Sequence, residues 1–152
     1  MNIVRKGRIA GIDYGTVRIG IAIADLEVGI ASPVENYTRR GPEADAQRFR
    51  RLVEEEAVIR FVVGLPVHLS GEESQKSFEV RQFGQWLHTA TGVAVDYFDE
   101  RFTSAEAERH LEQANLTKKK RQARLDMLAA QIMLSAYLEA GGKSDEAPES
   151  IG

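Results

Sequence analysis

Three acidic positions stand where local structure gives acids little reason to be. Asp13 ends the run "RIAGID" and leads straight into the turn Tyr14-Gly15-Thr16, while Asp99 and Glu100 close "VAVDYFDE", just before Arg101. Asp126 lies within "KKKRQARLDMLAAQIMLSAYL", whose apolar residues recur at helical spacing. At about 100° per residue, Arg124, Gln131, Ser135 and Glu139 form a polar stripe, and Asp126 falls opposite it among Ala129, Ala130, Met133 and Tyr137. An ionised carboxylate on a buried face is costly unless it is paired or holds a metal. Carboxylates arriving from separate elements, with no cysteine and no paired histidine spacing, suit a hard ion that prefers oxygen, Mg²⁺ or Mn²⁺. Two such ions can activate a water and stabilise the leaving oxygen of a phosphodiester. The chemistry on offer is metal-dependent hydrolysis of a nucleic-acid backbone.

Each acid also has a plainer reading. Asp13 can cap its own turn, the acids at 99 and 100 can pair with Arg101, and Asp126 can be the N-cap of a helix that starts there. Strand alternation sets Asp99 with Val93, Val95 and Tyr97 on one face and Glu100 with Ala94 and Phe98 on the other. Period alone leaves open which acid points inward; the longer reach of glutamate favours Glu100. Of the three histidines only His68, in "GLPVHLSG", falls near the expected site, as a substrate contact rather than a metal ligand. The basic run Lys118, Lys119, Lys120 and Arg121 stands at the start of a helix, where positive charge opposes the helix dipole. Bound phosphates would explain that placement, although a solvated surface run is the alternative.

The elements that carry these residues follow from hydrophobic period. "RIAGID", "RIGIAIAD" and "GIASPVENY" are short β-branched runs with short links, which predicts an antiparallel three-stranded meander. Pro42 suits a first helical position, and Ala46, Phe49, Leu52 and Val53 keep helical spacing to about Glu56. "VIRFVVGLP" reads as a strand buried on both faces. A second helix is expected from about Ser74 to Thr91, a fifth strand at 93–98, a short helix opening at "TSAE" (103–106), and a final helix over roughly Lys120 to Glu139. Right-handed crossovers give an α/β fold with a five-stranded mixed sheet in the order 3-2-1-4-5 and helices on both faces. In that order Asp13 and the acids at 99 and 100 start about 10 Å apart, two strands from each other.

The chain has 152 residues, 43% hydrophobic and 28% charged, with net charge −3, which suits one globular domain. That domain is expected at 1–140, followed by a disordered acidic tail at 141–152. The absence of cysteine excludes disulfides, thiolate zinc sites and cysteine nucleophiles. Apolar stretches such as "FVVGLPV" are far too short to span a membrane, and the start lacks a secretory apolar segment, so a cytoplasmic protein is expected.

The motifs "GIDYGTVRIGIAIAD", "VVGLPVHLSGEES", "DERFTSAEAE" and "KKKRQARLDMLAAQIMLSAYL" occur in one order and spacing between Ile9 and Leu138. On them the sequence resembles the YqgF family of RuvC-like, RNase H-fold proteins, known as candidate Holliday-junction resolvases and as nucleases that mature the leading end of small-subunit ribosomal RNA precursors. The resemblance implies an RNase H-like fold and a metal-dependent nuclease acting on structured RNA or branched DNA. It sets Asp13, the acids of "DER" and Asp126 in the acidic positions, with Arg18 and Arg101 in the basic positions beside them. The chain departs from the family pattern at Val17, where a lysine is usual, and at His68 and Ser70, where an asparagine and an acid are common. Symmetric cutting of a four-way junction would further require a homodimer.

Two other classes compete. Sugar kinases, actin and heat-shock ATPases share the strand-Asp-x-Gly-Thr turn but face two such domains across a cleft, and this chain holds one, without a second glycine-rich phosphate loop. A non-catalytic RNA-binding or ribosome-assembly protein on the same fold is the closer rival. Against it stand the three acidic places, which a pure binder would have no need to keep.

Overall fold

Ile19, Ile21 and Ile23 alternate with Gly20, Ala22 and Ala24, and this bulky-then-small pattern decides how the sheet is covered. A computed structural model describes residues 7–66, 74–100 and 118–141, with side chains from residue 128 onward in the last segment. The strands are β1 (Arg8–Asp13), β2 (Arg18–Asp25), β3 (Ala31–Thr38), β4 (Val58–Leu65) and β5 (Ala94–Asp99); the helices are α1 (Pro42–Glu56), α2 (Gln75–Thr91) and α3 (Lys118–Glu139). The sheet order is β3-β2-β1-β4-β5. β1, β2 and β3 form the expected antiparallel meander, and β4 lies parallel to both β1 and β5.

On the bulky face Ile19 and Ile21 are buried with Phe49, Leu52, Val80, Phe83 and Leu87 of α1 and α2. Phe49 is central there, with ring contacts to Tyr37, Phe61, Phe83 and Trp86 at centroid distances of 6.2 to 6.3 Å. On the small face Ala22 and Ala24 admit α3, whose Ala130, Met133, Leu134 and Tyr137 are buried against them. The helix comes closest at Gly11, where a Cβ would stand 2.9 Å from Leu134 Cβ and 3.1 Å from the Ala130 carbonyl oxygen. Any larger residue at 11 would lift α3 off the sheet.

The helix boundaries follow their caps. α1 begins at Pro42, α2 is capped by reciprocal bonds between Ser74 and Ser77, and α2 ends on Gly92 with φ of 76°. The third helix starts at Lys118, two residues earlier than its period suggested, so Lys118, Lys119, Lys120 and Arg121 form its first turn. Asp126 is therefore two turns inside the helix and is not its N-cap. Its backbone position is one turn before Ala130, on the line that continues through Met133 and Tyr137. His68, Arg101 and the "TSAE" segment lie outside the described residues, as do the side chains at 118–121 and at 126. Among the described residues no helix is long and apolar enough to cross a membrane.

One buried acid serves the fold rather than the cleft. Asp45 is fully buried and accepts hydrogen bonds from Tyr37 Oη at 2.7 Å, the Arg40 backbone N–H at 2.9 Å and Arg39 Nε at 3.2 Å. Burial alone would raise its pKa, but these donors and the Arg39 charge outweigh that and hold it below the ordinary aspartate value. Asp45→Ala strands three donors and is expected to cost about 3 kcal/mol at pH 7, read as a shift in the urea unfolding midpoint. Because the folded-state pKa is depressed, this contribution is complete above the unfolded value near 4 and fades as pH falls through the folded one. Wild type and variant should converge in stability in that acidic window.

Candidate functional site

The ladder places five residues in one row across the sheet. Asp13 stands opposite Gly20 of β2, and Gly20 stands opposite Asn36 of β3. On the other side Ile12 pairs with Val63, which puts Gly64 beside Asp13, and Gly64 pairs with Phe98 of β5. The row therefore reads Asn36, Gly20, Asp13, Gly64, Phe98, all on the face that α3 covers. Both neighbours of Asp13 lack a side chain, so the strand that ends in a carboxylate is flanked by open floor.

Glu100 uses that floor. It follows the last residue of β5, and its side chain lies back across Gly64, where a Cβ would sit 2.5 Å from Glu100 Oε2 and 2.9 Å from its Cγ. The carboxyl reaches Asp13 and makes a side-chain hydrogen bond with it. The two-strand gap is thus closed by the missing side chain of Gly64 together with the length of glutamate. Asp99 is 4% exposed and sits beside Leu65, on the sheet face covered by α1 and α2. Of the two acids, Glu100 is the one that shares a face with Asp13.

Burial pushes the Glu100 carboxyl above its ordinary value, and the nearby Asp99 charge pushes the same way. The bond to Asp13 and the Lys76 ammonium act in the opposite sense without cancelling the shift. Two carboxyl groups in hydrogen-bond contact must share a proton or have a cation between them. Their oxygen donors fit a hard divalent ion. Among the described residues no cluster of three acids or histidines forms; the third acid of the expected set, Asp126, has its side chain outside them.

A cleft runs from Asp13 over Gly20 to Asn36, with the Tyr14 to Arg18 turn and Lys76 completing its lining. Arg18, the first residue of β2, is exposed at this cleft. The turn is held from the opposite face of the sheet. Tyr14 packs on Phe83 with centroids 4.7 Å apart, and the Arg39 guanidinium lies 5.4 Å from the Tyr14 ring centre. Arg39 also donates to Tyr14 Oη at 3.2 Å, and its backbone N–H donates to the Val17 carbonyl at 2.9 Å. Gly15 is needed because a Cβ there would collide with the Arg18 carbonyl oxygen.

Three residues of this site escaped sequence reasoning, and each left a signal. Gly64 interrupts a β-branched run, a mark of close approach by another group. Lys76 puts positive charge in the first turn of a helix, against the dipole. Asn36 is a strand residue of a type that strands disfavour.

A family profile described as "RuvX: Holliday junction resolvase" matches residues 7–140. A protein of Rhodopirellula baltica named "Putative pre-16S rRNA nuclease" is 48% identical over 134 residues, covering 88% of this chain and 78% of the relative. A Koribacter versatilis protein of the same name is 39% identical over 144 residues, covering 95% and 94%. The solved structure of T. thermophilus RuvC with a Holliday junction substrate superposes with a TM-score of 0.50 at 16% identity, covering 91% of this chain and 98% of that one. The last likeness is one of fold, and it places the mixed sheet among RuvC-like, RNase H-type architectures.

Proposed function

The chain belongs to the RuvX family of Holliday junction resolvases, and from that premise we propose that it is a metal-dependent nuclease working at the Asp13–Glu100 pair. The observation that carries this reading is the meeting of those two carboxyls across Gly64 at the end of the parallel strands. Ligand sites of open α/β sheets gather at that end, beside a change of strand direction. Here β1 is the strand where the antiparallel and parallel halves meet.

Asp13 and Glu100 would hold Mg²⁺ or Mn²⁺, with Asp126 as the third acid. When bound, the ion supplies the Lewis acidity that turns water into a nucleophile and offsets charge on the leaving oxygen. Arg18 and Lys76 draw the phosphodiester backbone into the cleft and oppose its charge. The turn from Tyr14 to Val17, fixed by Arg39, keeps Asp13 in place while the strand is bound. Arg101, His68 and the run Lys118 to Arg121 are proposed as further contacts to the nucleic-acid backbone. Asp99, on the other face, would act on Glu100 by its charge rather than by contact with substrate. The nuclease unit is residues 1–140, with 141–152 outside it.

The names of the relatives direct the choice of substrate to a pre-16S ribosomal RNA, at its leading end as the family resemblance implies, with branched DNA as the second candidate and a homodimer required for the latter. Incubation of wild type with single-stranded RNA, a ribosomal-precursor stem and a four-way DNA junction, in Mg²⁺, Mn²⁺ or chelator, tests this directly. Cleavage of the precursor stem in metal and none in chelator is expected. Binding of RNA without cleavage of any of the three, in either metal, would transfer the protein to the non-catalytic reading.

A further inference from the structure

The cleft continues past the carboxyl pair to a group that the proposed chemistry does not use. Asn36 lines the cleft, and its Oδ1 is buried without a hydrogen-bond partner among the described residues. A buried acceptor left unmade costs roughly 1–3 kcal/mol, and strands disfavour asparagine in the first place. A residue disfavoured on both grounds stands at the cleft wall, where its amide can meet a bound ligand.

Its position says which ligand atom that is. Asn36 lies in the same ladder row as Asp13, with only Gly20 between them, so the two Cα atoms are separated by about two strand spacings, or ~10 Å. Gly20 contributes no side chain, and the floor between them is open. A strand whose phosphate sits at Asp13 therefore lays an adjoining sugar toward Asn36. The terminal amide turns about a soft torsion, which brings its acceptor to the cleft. In DNA that sugar carries no donor at its 2′ carbon, whereas in RNA it carries a hydroxyl that can donate.

Resting on the nuclease reading above, we propose that Asn36 is a specificity residue: its amide oxygen accepts a hydrogen bond from a ribose 2′-hydroxyl next to the phosphate held at Asp13, and so selects RNA over DNA. Nothing in this requires Asn36 to touch the reacting atoms. Its effect falls on which strand is accepted.

The test is equilibrium binding, by fluorescence anisotropy at low salt with Ca²⁺ in place of Mg²⁺ or Mn²⁺, of one single-stranded sequence made as RNA, as 2′-O-methyl RNA and as DNA. Wild type is expected to bind the RNA about tenfold more tightly than the other two, the effect of one such bond. The 2′-O-methyl strand keeps the bases and the ribose oxygen but loses the donor. Asn36→Ala is expected to bind all three alike, with its DNA affinity within about twofold of wild type, which also reports that the variant is folded. A wild type that binds RNA and DNA alike, or an RNA preference that survives Asn36→Ala, overturns the role of Asn36 and leaves the nuclease reading standing. Equal weakening on RNA and DNA in the variant would mean contact with a base or the backbone, and overturns it too. A wild type that binds none of the three strands overturns this inference, while the nuclease reading is decided separately by cleavage of the precursor stem.

Discussion

Asp13→Asn is expected to lower metal-dependent strand cleavage by roughly a thousandfold or more, since even residues that only support metal ligands cost 10–100-fold when lost. The substitution is chosen because it separates two roles of the same side chain. Asparagine caps a turn as aspartate does, so the Tyr14–Thr16 turn and its contacts to Phe83 and Arg39 should persist. It also relieves the crowding of two carboxyls, because Glu100 then faces an amide. The unfolding midpoint should hold or rise while cleavage disappears. A variant that cuts normally, or one that loses activity only because it unfolds, would return Asp13 to the part of a structural cap. Calorimetric unfolding alongside single-turnover cleavage separates these outcomes.

Gly64→Ala is the second large effect, and it acts through Glu100. The added methyl would occupy space held by Glu100 Oε2, Cγ and Cδ, which lie 2.5, 2.9 and 3.1 Å from the new Cβ. All three belong to a flexible side chain, so Glu100 moves and the strands stay. The chain should keep its stability within about 1 kcal/mol, since alanine restricts the unfolded backbone more than glycine does. Cleavage should fall about 10- to 100-fold, the usual effect of misplacing a catalytic group by about 1 Å. Adding Glu100→Gln to Gly64→Ala should cost less than Glu100→Gln costs alone, because both act on the same contact. Full additivity of the two rate losses would mean that Gly64 matters for some reason other than the path of Glu100.

The sheet was readable in advance because its strands announce themselves by period. Ile19, Ile21 and Ile23 fix one face of β2, and "VIRFVVGL" has the unbroken apolarity of a strand covered on both sides. Pro42, Ser74 and Gly92 mark helix ends through their own backbone chemistry, which needs no partner elsewhere in the chain. The site was readable only where a residue contradicted its local setting, as Asp13 does. The reach of Glu100 toward Asp13 was legible from the length of glutamate, but its path was not, because it depends on a glycine on a third strand. Choosing between Asp99 and Glu100 needed the register of β5 against β4, which sets Asp99 beside Leu65. Lys76 and Asn36 join the cleft through packing across strands and helices far apart in sequence. No window of neighbouring residues contains that information.

The measurement that bears most directly on the central claim is a calorimetric titration of Mn²⁺ into wild type and Asp13→Asn at neutral pH. Saturable Mn²⁺ binding by wild type, weakened at least about tenfold in Asp13→Asn, is the expected result. Wild type that takes up no Mn²⁺ at millimolar concentrations, or an Asp13→Asn variant that binds it equally well, would contradict the assignment of the Asp13–Glu100 pair as the metal-holding heart of a nuclease.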